Sequence, residues 1–240
     1  MIQTCLFFEY YRQFCIMSTM TKKPAPHLRS ASTSNRSGTA VQRSANKVAI
    51  EAPPDVRERI LNTASALFYE RGVRAVGVDL VVLEAAVAKT SLYRYFPTKD
   101  DLIVAFLERE DLEFWAQWDG VAEQYASDPA AELAAHMQWI GERLARSNYR
   151  GCPQINVAAE FAEQNHPARQ VSHKHMQALR SRLLDIAERL NAKKPEQLAA
   201  QLALLVNGAF VSSGLLAPDE AIDVLLAALQ ALLAGAQSDS

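Results

Sequence analysis

The residues with the clearest chemical character lie between positions 86 and 99. This stretch holds three basic residues and no acidic one. Small hydroxyls and arginine suit the reading of base edges in the major groove of DNA, whereas phenols and lysines suit contacts with phosphate. We therefore predict DNA contacts for seven side chains: Lys89, Thr90, Ser91, Tyr93, Arg94, Tyr95 and Lys99.

Two other groups of residues are weaker candidates for chemistry. Cys152 is a candidate redox or nucleophilic thiol, but no His, Asn or Asp stands beside it in the sequence, and a reactive thiol needs a lowered pKa. His173 and His175 are two residues apart, so on one helix they point about 200° away from each other and do not share a metal. We expect both to be solvated surface histidines, and we predict no enzyme activity, no metal site and no cofactor.

Two short helices are predicted to position the DNA-contacting side chains. Residues 78–85 and 89–96 are separated by a turn of about three residues, the spacing of a helix-turn-helix, in which the second helix enters the major groove. Leu92 and Phe96 are four residues apart and share one helix face. We expect them to pack on the helix that precedes the motif, which leaves the polar side chains free for DNA.

Capping patterns predict where these helices begin and end. Asp55 with Glu58, and Thr98 with Asp101, have the spacing of capping boxes, in which each side chain bonds the backbone near the other. Gly72 supplies a left-handed stop between them. The first box and Gly72 bound the helix that precedes the motif, and the second box opens a long helix after the motif.

Apolar patterns at helical spacing continue to the C terminus. Helices are predicted from Pro129 to about Tyr149, from Pro153 through Phe161, from Pro167 to Leu190, and after Pro195 and Pro218. No convincing strand pattern occurs, so the predicted class is all-α with about nine helices. An N-terminal three-helix helix-turn-helix domain at 54–100 precedes a larger helical ligand-binding and dimerisation domain at 101–240.

Charge separates the first part of the chain from the rest. Of 240 residues with a net charge of −2, positions 1–50 hold seven of the 25 basic residues and one of the 27 acidic ones. We predict a disordered basic extension over residues 1–53, which either meets a polyanionic partner or only solubilises the chain. An over-assigned start, with Met17 or Met20 as the true beginning, is the other interpretation of the opening stretch.

Cysteine content and hydropathy bound the location of the protein. Three cysteines at positions 5, 15 and 152 form neither a disulfide framework nor a thiolate zinc site, which favours a reduced cytoplasmic setting. No apolar run reaches the roughly 18 residues that span a bilayer, so no membrane partner is expected.

The helix-turn-helix segment resembles a known family. Residues 68–102, and above all the run Thr90–Leu102 with Leu92-Tyr93 and Phe96 followed by Lys99 and Leu102, look like the DNA-binding domain of the TetR family of bacterial transcriptional regulators. This resemblance implies homodimers, a helical effector domain and release from operator DNA on effector binding. It also assigns Thr90, Ser91 and Arg94 to bases, and Tyr93, Tyr95 and Lys99 to phosphates.

Two positions depart from the family pattern. Ala86 stands where glycine is usual in the turn, and a left-handed conformation there costs an L-residue about 1 kcal/mol or more. Ala88 stands where Ser or Thr usually caps the reading helix, which loses roughly another 1 kcal/mol. These changes suggest a less rigid reader, and they leave open a helical ligand-binding dimer that no longer reads DNA.

The effector site is predicted from a weaker pattern. The segment Gly151-Cys152-Pro153 followed by Asn156 and Glu160 is similar to one in the effector domains of a large branch of the family, where it lines a pocket; simple helix packing is the alternative. Apolar and aromatic side chains suggest an apolar or aromatic effector. The predicted pocket residues are Trp115, Trp118, Tyr125, Met137, Trp139, Cys152, Asn156 and Met176.

The last two predicted helices are so apolar that burying one face of each would leave other apolar side chains exposed to water. Two such helices from each of two chains make a four-helix interface. The predicted interface residues are Leu198, Leu202, Leu205, Phe210, Leu225, Leu229 and Leu232.

Together these patterns predict a homodimeric regulator of transcription. We expect a repressor that binds an inverted-repeat double-stranded operator and is released by a small-molecule effector. The alternatives are the non-reading ligand-binding dimer and, more remotely, a thiol-dependent enzyme that uses Cys152.

Overall fold

A computed structural model describes residues 55–212, 215–217 and 220–237. The predicted basic extension, residues 1–53, lies outside them. Every regular element in the described residues is a helix, in agreement with the predicted all-α class. Nine helices occur there: α1 Val56–Arg71, α2 Val78–Glu84, α3 Lys89–Tyr95, α4 Lys99–Gln124, α5 Pro129–Leu144, α6 Pro153–Glu160, α7 Pro167–Arg189, α8 Pro195–Val211 and α9 Ala221–Gln237.

The first three helices and the start of α4 enclose one hydrophobic core. Leu92 and Phe96 are buried in it with Ile60 and Phe68 of α1, which confirms that these two residues pack α3 on α1. Burial of these two side chains fixes how α3 turns about its axis, because residues four apart lie on one face. The polar residues between them therefore face outwards.

Most predicted helix ends agree with the structure. Thr98 and Asp101 form a full capping box at the start of α4, and Asp128 caps α5. The box predicted at Asp55 is wrong in part: Asp55 accepts from the backbone N–H of Val56, but Glu58 instead pairs with an arginine of α4 at 2.6 Å. A strong charged partner on another helix outcompetes the local backbone N–H.

Helix α4 joins the two domains because it is long enough to belong to both cores. Its first half buries Phe106 and Leu107 in the core of the helix-turn-helix domain. Its second half buries Phe114 and Trp118 in the core of the C-terminal bundle. Helix α4 is therefore a structural element of both domains.

The C-terminal helices form a second core that corrects the predicted dimer interface. Five of the predicted interface residues are at most 2% exposed and pack inside their own chain: Leu198, Leu202, Phe210, Leu225 and Leu229. Side chains buried in one protomer have no surface left for a partner. Only Leu205 and Leu232 are partly exposed.

The opposite faces of the last two helices remain open. Leu204 and Val211 of α8 are 74% and 61% exposed, and Val224 of α9 is 41% exposed. Small exposed residues, Gly208 and Ala227, lie beside them on the same faces. We call this surface the α8–α9 face.

Close packing of α5 on α9 depends on a glycine. A Cβ atom at Gly141 would lie 2.5 Å from the side chain and 3.0 Å from the Cα of Ile222. A side chain there would push the helices apart, so Gly141 lets α9 approach α5.

Helix α5 ends at Leu144, short of the predicted end near Tyr149, because the Tyr149 hydroxyl bonds the carbonyl of Phe210 at 3.1 Å in the following segment.

Candidate nucleic-acid interface and effector cavity

The outer side of α3 carries the residues predicted to contact DNA. Thr90, Tyr93 and Arg94 are exposed, and Ser91 and Tyr95 are partly exposed. This exposure allows DNA contact and leaves the predicted roles untested.

Two of these residues form one unit on the surface. The guanidinium of Arg94 lies over the ring of Tyr95, 4.8 Å from its centroid, and donates to the Tyr95 hydroxyl at 3.1 Å. Such stacking holds the arginine in a limited set of rotamers. An arginine held in place pays less entropy when it bonds a base edge.

The terminal basic residues are engaged within the protein. Lys89 forms an ion pair of 2.6 Å with Asp79 of α2, which joins the two helices of the motif. Lys99 is partly buried, and this burial lowers the pKa of its ammonium group, although the charges of Asp100 and Glu160 act in the opposite direction. Lys89 therefore has an ion-pair partner within the protein besides any phosphate.

The turn between α2 and α3 has the strain that its sequence predicts. Ala86 has φ 51°, in the left-handed region that favours glycine. Ala88 is the N-cap of α3 and makes no side-chain capping bond. The motif is nevertheless complete, because its apolar residues and the Lys89–Asp79 pair hold the two helices together.

A polar contact links the helix-turn-helix domain to the C-terminal bundle through α6. The carboxylate of Glu160 accepts hydrogen bonds from the backbone N–H groups of Val73 at 3.1 Å and Arg74 at 2.8 Å. The Arg74 side chain returns a bond of 2.9 Å to the carbonyl of Glu160. Gly72 makes room, since its φ is +85° and a Cβ there would lie 3.0 Å from Oε1 of Glu160. Glu160 therefore ties α6 to the end of α1.

A small cavity lies at the other end of α6. Its volume is about 10 Å³, which is room for about one water molecule. Helices α4 to α8 all contribute to its wall. The lining residues are Glu110, Phe114, Arg143, Cys152, Pro153, Gln154, His175 and Phe210.

Most of the predicted pocket residues lie elsewhere. Of that set only Cys152 lines this cavity, and Trp118 lines a more open cleft of about 210 Å³ between α4, α5 and α7. Met137 is buried in the bundle core, with Trp115 and Trp139 packed against it. The other predicted residues, Tyr125, Asn156 and Met176, are not part of either cavity. Aromatic residues at helical spacing proved to be core because the bundle buries them between its own helices.

The prediction of a surface His175 is wrong. Its ring is only 2% exposed, and Nδ1 lies 2.5 Å from a carboxylate oxygen of Asp111. The neighbouring Phe114 ring packs edge-on at 4.9 Å. His173 is exposed as expected.

The structure weighs against thiol chemistry at Cys152. Burial raises the pKa of the Cys152 thiol, although backbone N–H groups of α6 act in the opposite direction. A buried thiol that stays protonated is a poor nucleophile. In the described part of the chain, no group of three or more His, Cys, Asp or Glu side chains is placed to hold a metal.

Sequence reasoning missed the polar residues of the cavity. Gln154 donates through Nε2 to the carbonyl of Leu107 at 2.9 Å, and its Oε1 is buried with no hydrogen-bond partner. Burial raises the pKa of the Glu110 carboxyl to about 7. Glu110 and Arg143 come from different helices, so only the folded chain brings them together.

These elements define a helix-turn-helix protein with an all-helical second domain. No helix in the described ranges is long and apolar enough to cross a membrane. Residues 60–106 match the family model described as bacterial regulatory proteins, tetR family.

Known proteins similar to this chain are named as regulators rather than enzymes. The transcriptional regulator LmrA of Bacillus subtilis is 27% identical over 120 residues, which are 50% of this chain and 64% of LmrA. The transcriptional repressor NemR of Escherichia coli is 26% identical over 110 residues, which are 45% of this chain and 55% of NemR. The matched segments therefore span less than two thirds of either relative.

A solved structure extends the likeness to both domains. The TetR-family regulator SCO4454 of Streptomyces coelicolor superposes with a TM-score of 0.73 at 26% identity, over 76% of this chain and 96% of SCO4454. Residues 60–106 therefore match the sequence model of the TetR-family DNA-binding domain, and the described chain has the fold of a TetR-family regulator.

Proposed function

We propose that the protein is a DNA-binding regulator of transcription whose helix α3 reads an operator. The observation that carries this proposal is the outer side of α3, where Thr90, Tyr93 and Arg94 are exposed while Leu92 and Phe96 hold the helix to the core. Hydroxyl and guanidinium groups match the donors and acceptors of the major groove. We assign base contacts to Thr90, Ser91 and Arg94, and phosphate contacts to the two tyrosines, Lys89 and Lys99.

A homodimer would present two copies of α3 to the DNA. The exposed apolar α8–α9 face supports this assembly, because burying it against a second copy removes Leu204, Val211 and Val224 from water. Two-fold symmetry then requires an inverted-repeat operator whose half-sites match the spacing of the two reading helices.

Repression with release by an effector is the mode of action that we propose. One matched relative, NemR, is named a repressor. Helix α6 supplies a route for release, since its N-terminal end lines the cavity and its C-terminal Glu160 holds residues 73 and 74 of the reader. An effector weakens DNA binding if it prefers the arrangement in which the two reading helices are wrongly spaced. A cytoplasmic location stays a prediction.

Substitution of Arg94 tests the reading surface. The duplex is one selected from random sequences by the wild-type protein, and affinity is measured by fluorescence anisotropy. We expect Arg94→Ala to weaken binding by about 1–3 kcal/mol and to relax the preference at the base pair it contacts. Tyr93→Phe should weaken selected and scrambled duplexes alike.

Arg180→Ala is the matched control, because Arg180 is exposed on α7 away from the reader. It should bind the selected duplex like the wild type. If Arg94→Ala retained full affinity and the same base preference as Arg180→Ala, the assignment of α3 as the reader would be wrong.

A ligand-binding dimer that no longer reads DNA is the second candidate. It is motivated by Ala86 at φ 51° and by the uncapped N terminus of α3. Enrichment of a specific duplex from a random library separates the two candidates, since a non-reading dimer enriches none.

A further inference from the structure

The cavity beside α6 is lined by charged and polar side chains as well as by aromatic ones. An apolar effector would leave the charged and polar groups without partners. Its inner wall is formed by buried residues, among them Phe114, Gln154 and Phe210, while Glu110 and Arg143 are only partly buried. The lining thus combines a partly exposed carboxyl and guanidinium with buried aromatic rings and a buried amide. We propose that this cavity binds a small zwitterion, a molecule that carries a cationic N–H group and a carboxylate.

The amide of Gln154 has one hydrogen-bond acceptor without a partner. Nε2 is fixed by its bond of 2.9 Å to the carbonyl of Leu107, so the amide orientation is determined and Oε1 is the atom left over. That oxygen is buried and unbonded, in a side chain only 2% exposed. A buried acceptor without a partner destabilises the folded chain, and a ligand N–H group would supply the missing partner.

Two residues of opposite charge, Glu110 and Arg143, line the same cavity. Neither Glu110 nor Arg143 has an ion-pair partner within 4.0 Å among the described residues, although both line one cavity. Arginine binds carboxylates with two parallel hydrogen bonds. In the proposed complex Glu110 and Oε1 of Gln154 accept from the cationic N–H group, and the buried side chains of Phe114 and Phe210 line the rest of the cavity.

The small volume of the cavity means that a bound ligand must move the helices around it. A cavity of about 10 Å³ admits a ligand only when the helices around it separate. Because Gln154 and Glu160 lie on the same short helix, a ligand that displaces the N-terminal end of α6 also acts on the contact with Val73 and Arg74. This consequence for DNA rests on the proposed function, whereas binding of the zwitterion does not.

A panel of small probes tests the ligand class on the full chain. Thermal unfolding and calorimetry are measured with glycine, β-alanine, γ-aminobutyrate, serine and proline, and with propionate, propylamine and toluene, which lack one or both charges. We expect at least one zwitterion to bind and its analogues with a single charge or none to bind at least tenfold more weakly. Failure of all five zwitterions, or equal binding of propionate, propylamine or toluene, would overturn the proposal.

Variants then assign the binding to this cavity. Arg143→Gln and Glu110→Gln should each weaken the best zwitterion at least tenfold, whereas Arg180→Gln and Glu108→Gln, which change exposed residues of α7 and α4, should not. Arg143→Lys keeps the positive charge and serves as a second variant in case Arg143→Gln does not fold. We expect Arg143→Lys to bind the zwitterion more weakly than the wild type does. Unchanged affinity in folded Arg143 and Glu110 variants would refute the site.

Operator binding is measured separately in the same samples. Zwitterion binding without any sequence-specific DNA binding would refute the proposed regulator and leave the ligand site standing. Specific DNA binding without zwitterion binding would refute the ligand site alone.

Discussion

At the scale of single residues, the helix-turn-helix motif has two residues that are unfavourable for the backbone conformation they adopt. Ala86 adopts φ 51°, and Ala88 leaves the N terminus of α3 without a side-chain cap. Buried Leu92 and Phe96 and the Lys89–Asp79 pair hold α3 in place in spite of them. Both positions stand out in the sequence because the family that it resembles usually has Gly at the first and Ser or Thr at the second.

A serine at the cap should therefore stabilise the protein. In Ala88→Ser the hydroxyl can accept a bond from a free backbone N–H of the first turn, so we expect the free energy of unfolding to rise by about 1 kcal/mol. Urea denaturation followed by circular dichroism measures it. The control is Thr90→Ser, two residues further along the chain, which should change the free energy of unfolding little. An unchanged or lower stability in Ala88→Ser would show that the cap is not limiting.

Glu110 should make stability depend on pH. Burial first, and Glu113 second, raise the pKa of the Glu110 carboxyl to about 7, against the opposing charges of Arg143 and Arg109. The folded chain thus holds this proton more tightly than the unfolded chain. Its stabilising contribution is complete below pH 4.5 and is lost as the pH rises towards 7.

Glu110→Gln removes this loss. Relative to the wild type, we expect the variant to gain free energy of unfolding between pH 4.5 and pH 8, by at most about 3 kcal/mol. Urea titrations at the two pH values measure the gain. Glu108→Gln, at an exposed position of α4, should show no such difference, and an equal difference in both variants would contradict the assignment.

At the scale of helices, local signals predicted the ends that depend on local bonds. The box of Thr98 with Asp101 and the cap at Asp128 are both present. The end of α5 and the role of Glu58 were not predictable, because partners distant in the chain, Phe210 and Arg109, decide them. The cavity was missed for the same reason.

The contact of α6 with the segment after α1 is one of the links between the helix-turn-helix domain and the bundle. Glu160→Ala removes the acceptor for the N–H groups of Val73 and Arg74. We expect it to lower the free energy of unfolding by about 1–2 kcal/mol, below the usual range for charged hydrogen bonds because the site is partly exposed. Glu160→Gln keeps one acceptor oxygen and should lose less.

Urea denaturation of the two variants checks this order. Glu163→Ala is the control, since Glu163 is exposed in the loop after α6. A loss in Glu160→Ala no larger than that of the control would contradict the contact.

At the scale of the whole molecule, the sequence predicted two helices too apolar for one buried face. Which face turns inwards depends on packing against α5 and α7, and the side chains first assigned to the interface form the core instead. The faces left open carry Leu204 and Val211. A four-helix interface built on them stays a proposal.

A charge on the α8–α9 face should dissociate the dimer. Leu204 is 74% exposed, so Leu204→Glu leaves the protomer core intact while placing two carboxylates in the proposed interface. We expect light scattering to give the mass of a monomer. Leu112→Glu makes the same change at a residue 73% exposed on α4 and should remain a dimer. A dimeric Leu204→Glu protein would move the interface elsewhere.

Selection of duplexes from a random library by the wild-type protein tests the central claim most directly. The account predicts enrichment of an inverted repeat that outcompetes scrambled DNA and whose binding weakens steeply with salt, since phosphate contacts release counterions. Arg94→Ala should enrich a less specific motif. Repeated rounds that enrich no sequence, with equal binding to selected and scrambled duplexes, would contradict a protein that reads DNA through α3.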